Sequence, residues 1–162
     1  MSEESRKFPI RTIKTIQGGK DFLKIIRDFI LKLSYDPDSY EVEQSDDRVR
    51  WLIPLKESDE LEIILDKPKS VSDATLYLGS LICVVPLKNL TNTLVTALEL
   101  ADGLVGTKIS LVGRHLVISI TSPASVITLN DLDYFYQLLI TQKAWFTRLL
   151  MDELNWDAIP TD

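Results

Sequence analysis

The longest helical pattern in the chain covers residues 130–154, NDLDYFYQLLITQKAWFTRLLMDEL. Its apolar side chains recur three and four residues apart, the spacing that places side chains on one face of an α-helix. They form two stripes. The first, which we expect to face the core, is Leu132, Phe135, Leu139, Phe146 and Leu150; the second is Tyr134, Leu138, Trp145 and Leu149. One sheet face cannot cover both stripes, so we expect either a C-terminal tail with Trp156 and Ile159 or another chain to cover the second.

The segments before this helix predict one further helix and then a run of strands. Residues 20–33 have apolar side chains at helical spacing after Gly18-Gly19, which predicts an amphipathic helix. Apolar and polar residues alternate over 40–55, and a polar turn leads to residues 61–65, so up to four antiparallel strands are expected here. Residues 74–85 are largely apolar on both faces, which is typical of a central strand that is covered on both sides.

The segment between that strand and the long helix predicts a second helix and a hairpin. The second helix is expected over residues 88–104, and its apolar stripe is Leu90, Leu94, Ala97, Leu98 and Ala101. Residues 108–121 predict two strands around Gly113-Arg114, because glycine can supply the positive φ of a tight turn. The fold class predicted is therefore α+β, a two-layer domain with helices packed on an antiparallel sheet.

The length bounds the domain organisation. The chain has 162 residues, which suits a single domain. We expect an N-terminal arm over residues 1–17, one α+β domain over 18–155 and a C-terminal tail over 156–162.

No apolar run reaches the ~18 residues that a membrane helix needs, so no membrane association is expected. The acidic N-terminus lacks a signal core, and Cys83 is the only cysteine; both favour a reducing, cytoplasmic location.

Charge is distributed unevenly along the chain. Residues 1–32 carry eight basic and four acidic side chains, whereas the remaining 130 carry ten basic and twenty acidic ones. Phosphate binding requires a positive field, so most of this surface should repel nucleic acid. We expect the basic segment to lie against the acidic remainder, within one chain or across a dimer.

The residue types that carry most enzyme chemistry are scarce. His115 is the only histidine, and it follows the predicted turn at Gly113-Arg114 without a paired nucleophile or acid. Cys83 lies in the most apolar strand, where burial makes a thiol inert. One cysteine and one histidine cannot form a structural zinc site. Gly18-Gly19-Lys20 departs from the phosphate-loop pattern. No catalytic residue, cofactor or metal is predicted.

The order of elements resembles the type III secretion chaperone-like fold, and within it the YbjN-type domains. The resemblance covers residues 19–154 and rests on element order and on apolar patterns such as Trp51-Leu52-Ile53-Pro54-Leu55. It implies a domain that is commonly dimeric and binds proteins without catalysis. The fold implies three strands before the second helix, whereas four are counted here.

Three classes of function remain open at this point, the third and least favoured being a nucleic-acid binder that works through the basic N-terminal segment. The first is a non-enzymatic interaction module, chaperone-like or adaptor-like, that binds a polypeptide through apolar surface or a sheet edge. Its candidate protein-binding residues are Tyr134, Leu138, Trp145, Leu149 and Trp156. The other interpretation of the same residues is that they form a homodimer interface. The alternative is a small-ligand-binding or carboxylate-based enzymatic domain. It would need a pocket between helices and sheet, with Arg48, Arg50 or Arg114 converging on it.

Overall fold

A computed structural model describes residues 18–56, 59–70 and 72–161 of the chain. The predicted arm over residues 1–17 lies outside the described residues. Three α-helices are present in the described part: α1 (Gly18–Lys32), α2 (Leu90–Ala101) and α3 (Leu129–Leu154). The six strands are β1 (Glu41–Gln44), β2 (Arg48–Pro54), β3 (Glu60–Asp66), β4 (Thr75–Val84), β5 (Lys108–Val112) and β6 (His115–Pro123). The predicted α+β class is confirmed.

All six strands form one antiparallel sheet in the order β1-β2-β3-β4-β6-β5. The segment over 61–65 is a strand of its own within β3, so four strands precede α2, as the sequence pattern indicated. β1 is only four residues long, which limits the exposed backbone that this sheet edge offers to other chains. β4 is central, between β3 and β6, as predicted.

The helices pack on one face of the sheet and bury its apolar rows. Register places Trp51 opposite Ile63, Ile63 opposite Leu78, and Leu78 opposite Ile120. All four side chains are buried in the core beneath the helices. Each large apolar side chain buried in this way contributes about 1.5–3 kcal/mol relative to an exposed one.

The opposite face of the sheet carries no helix in the described part of the chain. Tyr77 is half-buried and Leu81 is 38% exposed there, so the prediction that β4 is covered on both sides is wrong for the strand up to Leu81. The last three residues differ because the β4–β6 register shifts between Leu81 and Cys83. Such a bulge adds an unpaired residue, and consecutive Ile82, Cys83 and Val84 are all buried.

The helix boundaries follow local chemistry. α1 begins at Gly18, so the two glycines form its first turn rather than preceding it. α3 begins after a capping box: the Thr128 side chain accepts a hydrogen bond from the Asp131 amide, and the Asp131 carboxylate accepts one from the Thr128 amide. This arrangement satisfies amides that the first turn of a helix leaves without partners. Asp133 pairs with Lys32 and joins α3 to α1.

Candidate protein-binding surface

The first stripe of α3 faces the core as predicted. Leu132, Leu139, Phe146 and Leu150 are fully buried, and Phe135 is half-buried against the core. Lys143 lies among them and is itself buried. The sequence analysis did not identify it.

Lys143 is held by a polar network within the helix–sheet interface. Its ammonium group lies 2.5 Å from a carboxylate oxygen of Asp59 and donates a 2.9 Å hydrogen bond to the Ser80 hydroxyl. That hydroxyl donates in turn to the Glu60 carbonyl at 2.8 Å. The buried charge therefore has hydrogen-bond partners, as such groups require, and the network joins α3 to β4 and to the β2–β3 connection.

The second stripe of α3 lies largely against the connection between α2 and β5. A Cβ atom built on Gly103 would lie 2.7 Å from the Trp145 ring, and one built on Gly106 would lie 3.1 Å from a Leu138 methyl group. The Gln142 amide donates to the Val105 carbonyl at 2.7 Å, and its oxygen accepts from the Val105 amide at 3.2 Å. From the sequence, either the C-terminal tail or another chain was expected to cover this stripe. The connection between α2 and β5 was not expected to do so.

The five candidate protein-binding residues of the sequence analysis do not form one surface. Tyr134 is 63% exposed, and Leu138, Trp145 and Leu149 are half-buried on the same flank of α3. Trp156 instead lines a groove of about 420 Å³ together with Ile140, Ala144, Thr147 and Met151. At 3.6 residues per turn these four residues lie on the opposite flank of α3. Protein binding by the five residues stays a prediction, and Tyr134 is the most exposed of them on the first flank.

A larger apolar surface lies on α2 and β5. We call it the α2–β5 surface and define it by Leu87, Leu90, Val95, Leu98, Val105 and Leu111. These six residues are half of the twelve large apolar side chains that are exposed among the described residues. Leu98 is 69% exposed, and Val105 is 73% exposed. Exposed apolar side chains that cluster on neighbouring elements are typical of an interaction surface.

The α2–β5 surface arises because α2 is apolar over a wider arc than the core can cover. Thr93 and Ala97 are the buried residues of α2, whereas Leu90 and Leu98 of the predicted stripe are exposed. Leu111 pairs with the buried Leu116, so its side chain lies on the helix-bearing side of the sheet, next to α2. In the sequence, the apolar residues of α2 already span a wider arc than one helix face, but they were interpreted as a single stripe.

Four exposed charged residues lie along the α2–β5 surface, and they are of both signs: Lys88, Glu99, Asp102 and Lys108. Glu99 is the only charged residue within α2, and no ion pair of the described residues involves positions 87–112. β5 is also an outermost strand of the sheet, so the backbone along its free edge can accept a further strand. A partner could therefore pair with this edge while it covers the apolar side chains beside it.

The face of the sheet without helices is more polar. Arg50 pairs with Glu62 and Arg48 with Asp66, both at 2.6 Å, across β2 and β3. The Tyr77 ring lies over Gly79, where an added Cβ atom would come within 2.3 Å of the phenol oxygen. Burial raises the pKa of the Tyr77 phenol. Because Arg48 and Arg50 alternate along β2 with the buried Val49 and Trp51, they lie on this face and not at the helix–sheet interface.

The space between α1 and the sheet does not provide the pocket that the alternative function requires. The space between α1 and the sheet, lined by Phe22, Ile26, Leu76 and Ile127 among others, is a cavity of about 10 Å³, which is too small for a metabolite. Burial raises the pKa of the Cys83 thiol to about 11, so the thiolate is scarce at neutral pH. His115 Nδ1 lies 3.3 Å from the Val112 carbonyl at the hairpin end.

The described residues contain no group of three or more histidine, cysteine, aspartate or glutamate side chains that could hold a metal ion. None of the described helices combines the length and apolarity needed to cross a membrane.

Comparison with solved structures identifies the fold. A chain of the ExsC–ExsE complex aligns with a TM-score of 0.57 and 10% identity, covering 83% of this chain and 97% of its own length. A chain of the HopA1–SchA chaperone–effector complex gives 0.51 and 15%, covering 80% and 95%. A chain of the ExoU–SpcU complex from the type III secretion system of Pseudomonas aeruginosa gives 0.50 and 12%, covering 76% and 96%.

The chain therefore has a type III secretion chaperone-like fold, as the order of elements indicated. At these identities the likeness concerns the fold alone. No protein-family profile matches the sequence, and no curated protein matches it.

Proposed function

We propose that this chain is a non-enzymatic, chaperone-like module that binds polypeptides. The observation that carries the proposal is the α2–β5 surface, whose apolar side chains are exposed in a single copy. Apolar clusters of this kind on a folded domain mark protein interfaces. Two of the solved structures that share the fold are, by name, a chaperone–effector complex and a heterodimeric complex of a type III secretion system, which supports the same class of function.

The occupant we propose for the α2–β5 surface is a second copy of the chain. A two-fold interface brings the same patch of both copies together, and a charged group faces its own copy only near the axis. Glu99 is the only charged residue within α2, so few like charges would meet there. The exposed side chains of α2 could interdigitate with their symmetry mates, and the free edge of β5 lies beside them.

A second polypeptide would then bind to surface that the dimer leaves open. The exposed Tyr134 flank of α3 is the candidate that the sequence analysis named, and its ring is 63% exposed. Aromatic side chains of this kind often dominate the binding energy of an interface. An adaptor or regulatory role, membership of the YbjN-type domains and a cytoplasmic location stay predictions.

Affinity capture from the native extract tests the binding role. We expect the wild-type chain to retain one specific polypeptide in a fixed ratio. Tyr134→Glu should lose that polypeptide, because it places a charge in the proposed contact. Val126→Glu is the matched control, since Val126 is 67% exposed and should retain it. A wild-type chain that purifies without any bound polypeptide would contradict the proposed function, and equal retention by Tyr134→Glu would contradict the proposed contact.

A further inference from the structure

The chain beyond α3 returns to the sheet and lies beside β4. Asn155 adopts a left-handed conformation (φ 52°) and ends the helix. The Trp156 amide donates to the Met151 carbonyl at 3.0 Å, and the Val84 amide donates to the Pro160 carbonyl at 2.9 Å. Ile159 packs against the core between these two points. Residues 156–161, which we call the tail, therefore run from the end of α3 to the end of β4.

The tail occupies a place where the sheet lacks a strand. The register between β3 and β4 ends at Glu62 opposite Gly79, so the last five residues of β4 extend beyond it. Backbone amides of successive strand residues point to opposite sides. The Val85 amide bonds to Arg114 on the β6 side, and the Val84 amide bonds to Pro160 on the other. Pro160 thus accepts a hydrogen bond that a neighbouring strand would accept.

The groove along α3 next to the tail is only partly filled. Trp156 lines it but stays half-exposed, and about 420 Å³ of space remains. Its apolar floor comes from Ile140, Ala144 and Met151. Charged side chains surround that floor: Asp59, Lys143, Arg148 and Asp152. The groove and the adjacent stretch of β4 together fit an extended segment like the tail. Such a segment has an aromatic residue, two spacer residues, an aliphatic residue and a proline, in that order.

We propose that this groove and the adjacent edge of β4 form a peptide-binding site that the chain's own tail occupies, and that an extended segment of a partner protein with the same chemistry takes the tail's place. The choice of a partner segment as the occupant rests on the proposed protein-binding function. The site itself does not, because a peptide with the sequence of the tail tests it directly. A tethered segment competes at an effective concentration on the order of millimolar, so the docked tail excludes a competitor present at micromolar concentration.

The experiment measures fluorescence anisotropy of a labelled peptide, NWDAIPT (residues 155–161), added to the full chain. The double variant Trp156→Ala/Ile159→Ala keeps the groove and weakens the tail that fills it. We expect it to bind the peptide at least tenfold more tightly than the wild type does. Leu31→Ala/Val126→Ala removes two exposed apolar side chains elsewhere (57% and 67% exposed) and should bind no better than the wild type.

A third substitution locates the binding. On the weakened-tail background, Ala144→Arg places a long charged side chain in the groove and should abolish peptide binding, whereas Ser125→Arg, at an exposed position outside the groove, should leave it intact. Equal peptide binding by the wild type and the folded double variant would overturn the proposal, and so would binding that survives Ala144→Arg. These outcomes leave the α2–β5 surface untested, so the two proposals can fail separately.

Hydrogen exchange keeps the proposal testable if the double variant does not fold. Hydrogen exchange of the wild-type chain should show the Val84 amide exchanging at least tenfold faster than the Val85 amide, because a tail that can be displaced must open more easily than the β4–β6 ladder. Equal protection of the two amides would contradict displacement. The tail of a second copy is the alternative occupant of the groove. A wild-type dimer that becomes monomeric in the double variant would indicate such an exchange of tails, and it would overturn the proposal that a partner segment is the ligand.

Discussion

Single residues show where a sequence pattern is sufficient and where it is not. The spacing of Leu132, Leu139, Phe146 and Leu150 predicted their burial, because a helix face follows from local geometry alone. Lys143 could not be predicted, since its partners Asp59 and Ser80 come from distant parts of the chain. Contacts of this kind depend on tertiary structure, and a periodicity does not contain them.

The close packing of Gly103 could not be predicted from the sequence either, because it depends on the Trp145 ring of α3. We expect Gly103→Ala to destabilise the fold by about 1–2 kcal/mol, the usual cost of overpacking, since the added Cβ atom would lie 2.7 Å from the Trp145 ring. Thermal or urea unfolding measures the change. In a Trp145→Ala background the cost should largely disappear; a Gly103→Ala penalty that is equal in both backgrounds would contradict the contact.

Elements were predicted well where their pattern was long and self-consistent. The boundaries of α3 and of the hairpin agree with the structure within a few residues, and Gly113 has the positive φ that its turn requires (61°). α2 was located correctly, yet Leu90 and Leu98 of its predicted stripe are exposed. Periodicity shows which side chains share a face, but it does not show whether the same chain supplies the cover.

The capping box of α3 provides a prediction with a defined pH dependence. Thr128→Ala should cost about 1 kcal/mol, the typical value of an N-cap side chain. The hydrogen bond from the Thr128 hydroxyl lowers the pKa of Asp131 below its ordinary value of 3.8. A carboxylate with a lowered pKa stabilises the fold above its unfolded pKa and loses that contribution as the pH falls through the folded value.

The melting temperature of Thr128→Ala should therefore lie below that of the wild type by the largest amount at pH 7. This difference should decrease below about pH 3.8. Calorimetry at several pH values measures it. Asp102→Ala provides a control, because Asp102 follows the last turn of α2 and has no part in the α3 cap. A difference that stays constant down to pH 2 would contradict the contribution of the ionised Asp131.

The whole molecule combines a fold that the sequence predicted with a surface that it did not. Element order and apolar alternation were sufficient for the two-layer α+β architecture, but they left open whether three or four strands precede α2. The sheet order, with β6 between β4 and β5, requires long-range pairing that no local pattern specifies. The α2–β5 surface follows from that order, because it places β5 at an edge and α2 beside it.

The molar mass of the chain in solution tests the central claim, a polypeptide-binding module whose α2–β5 surface is covered by a second copy. Light scattering of the wild type at about 50 μM should give twice the 18.4 kDa of one chain. Leu98→Glu, at a position that is 69% exposed, should give 18.4 kDa, because it would place two carboxylates in an apolar two-fold seam. Leu31→Glu on α1, at a position that is 57% exposed, should remain a dimer. A wild-type mass of 18.4 kDa at this concentration, or a Leu98→Glu dimer, would contradict the account.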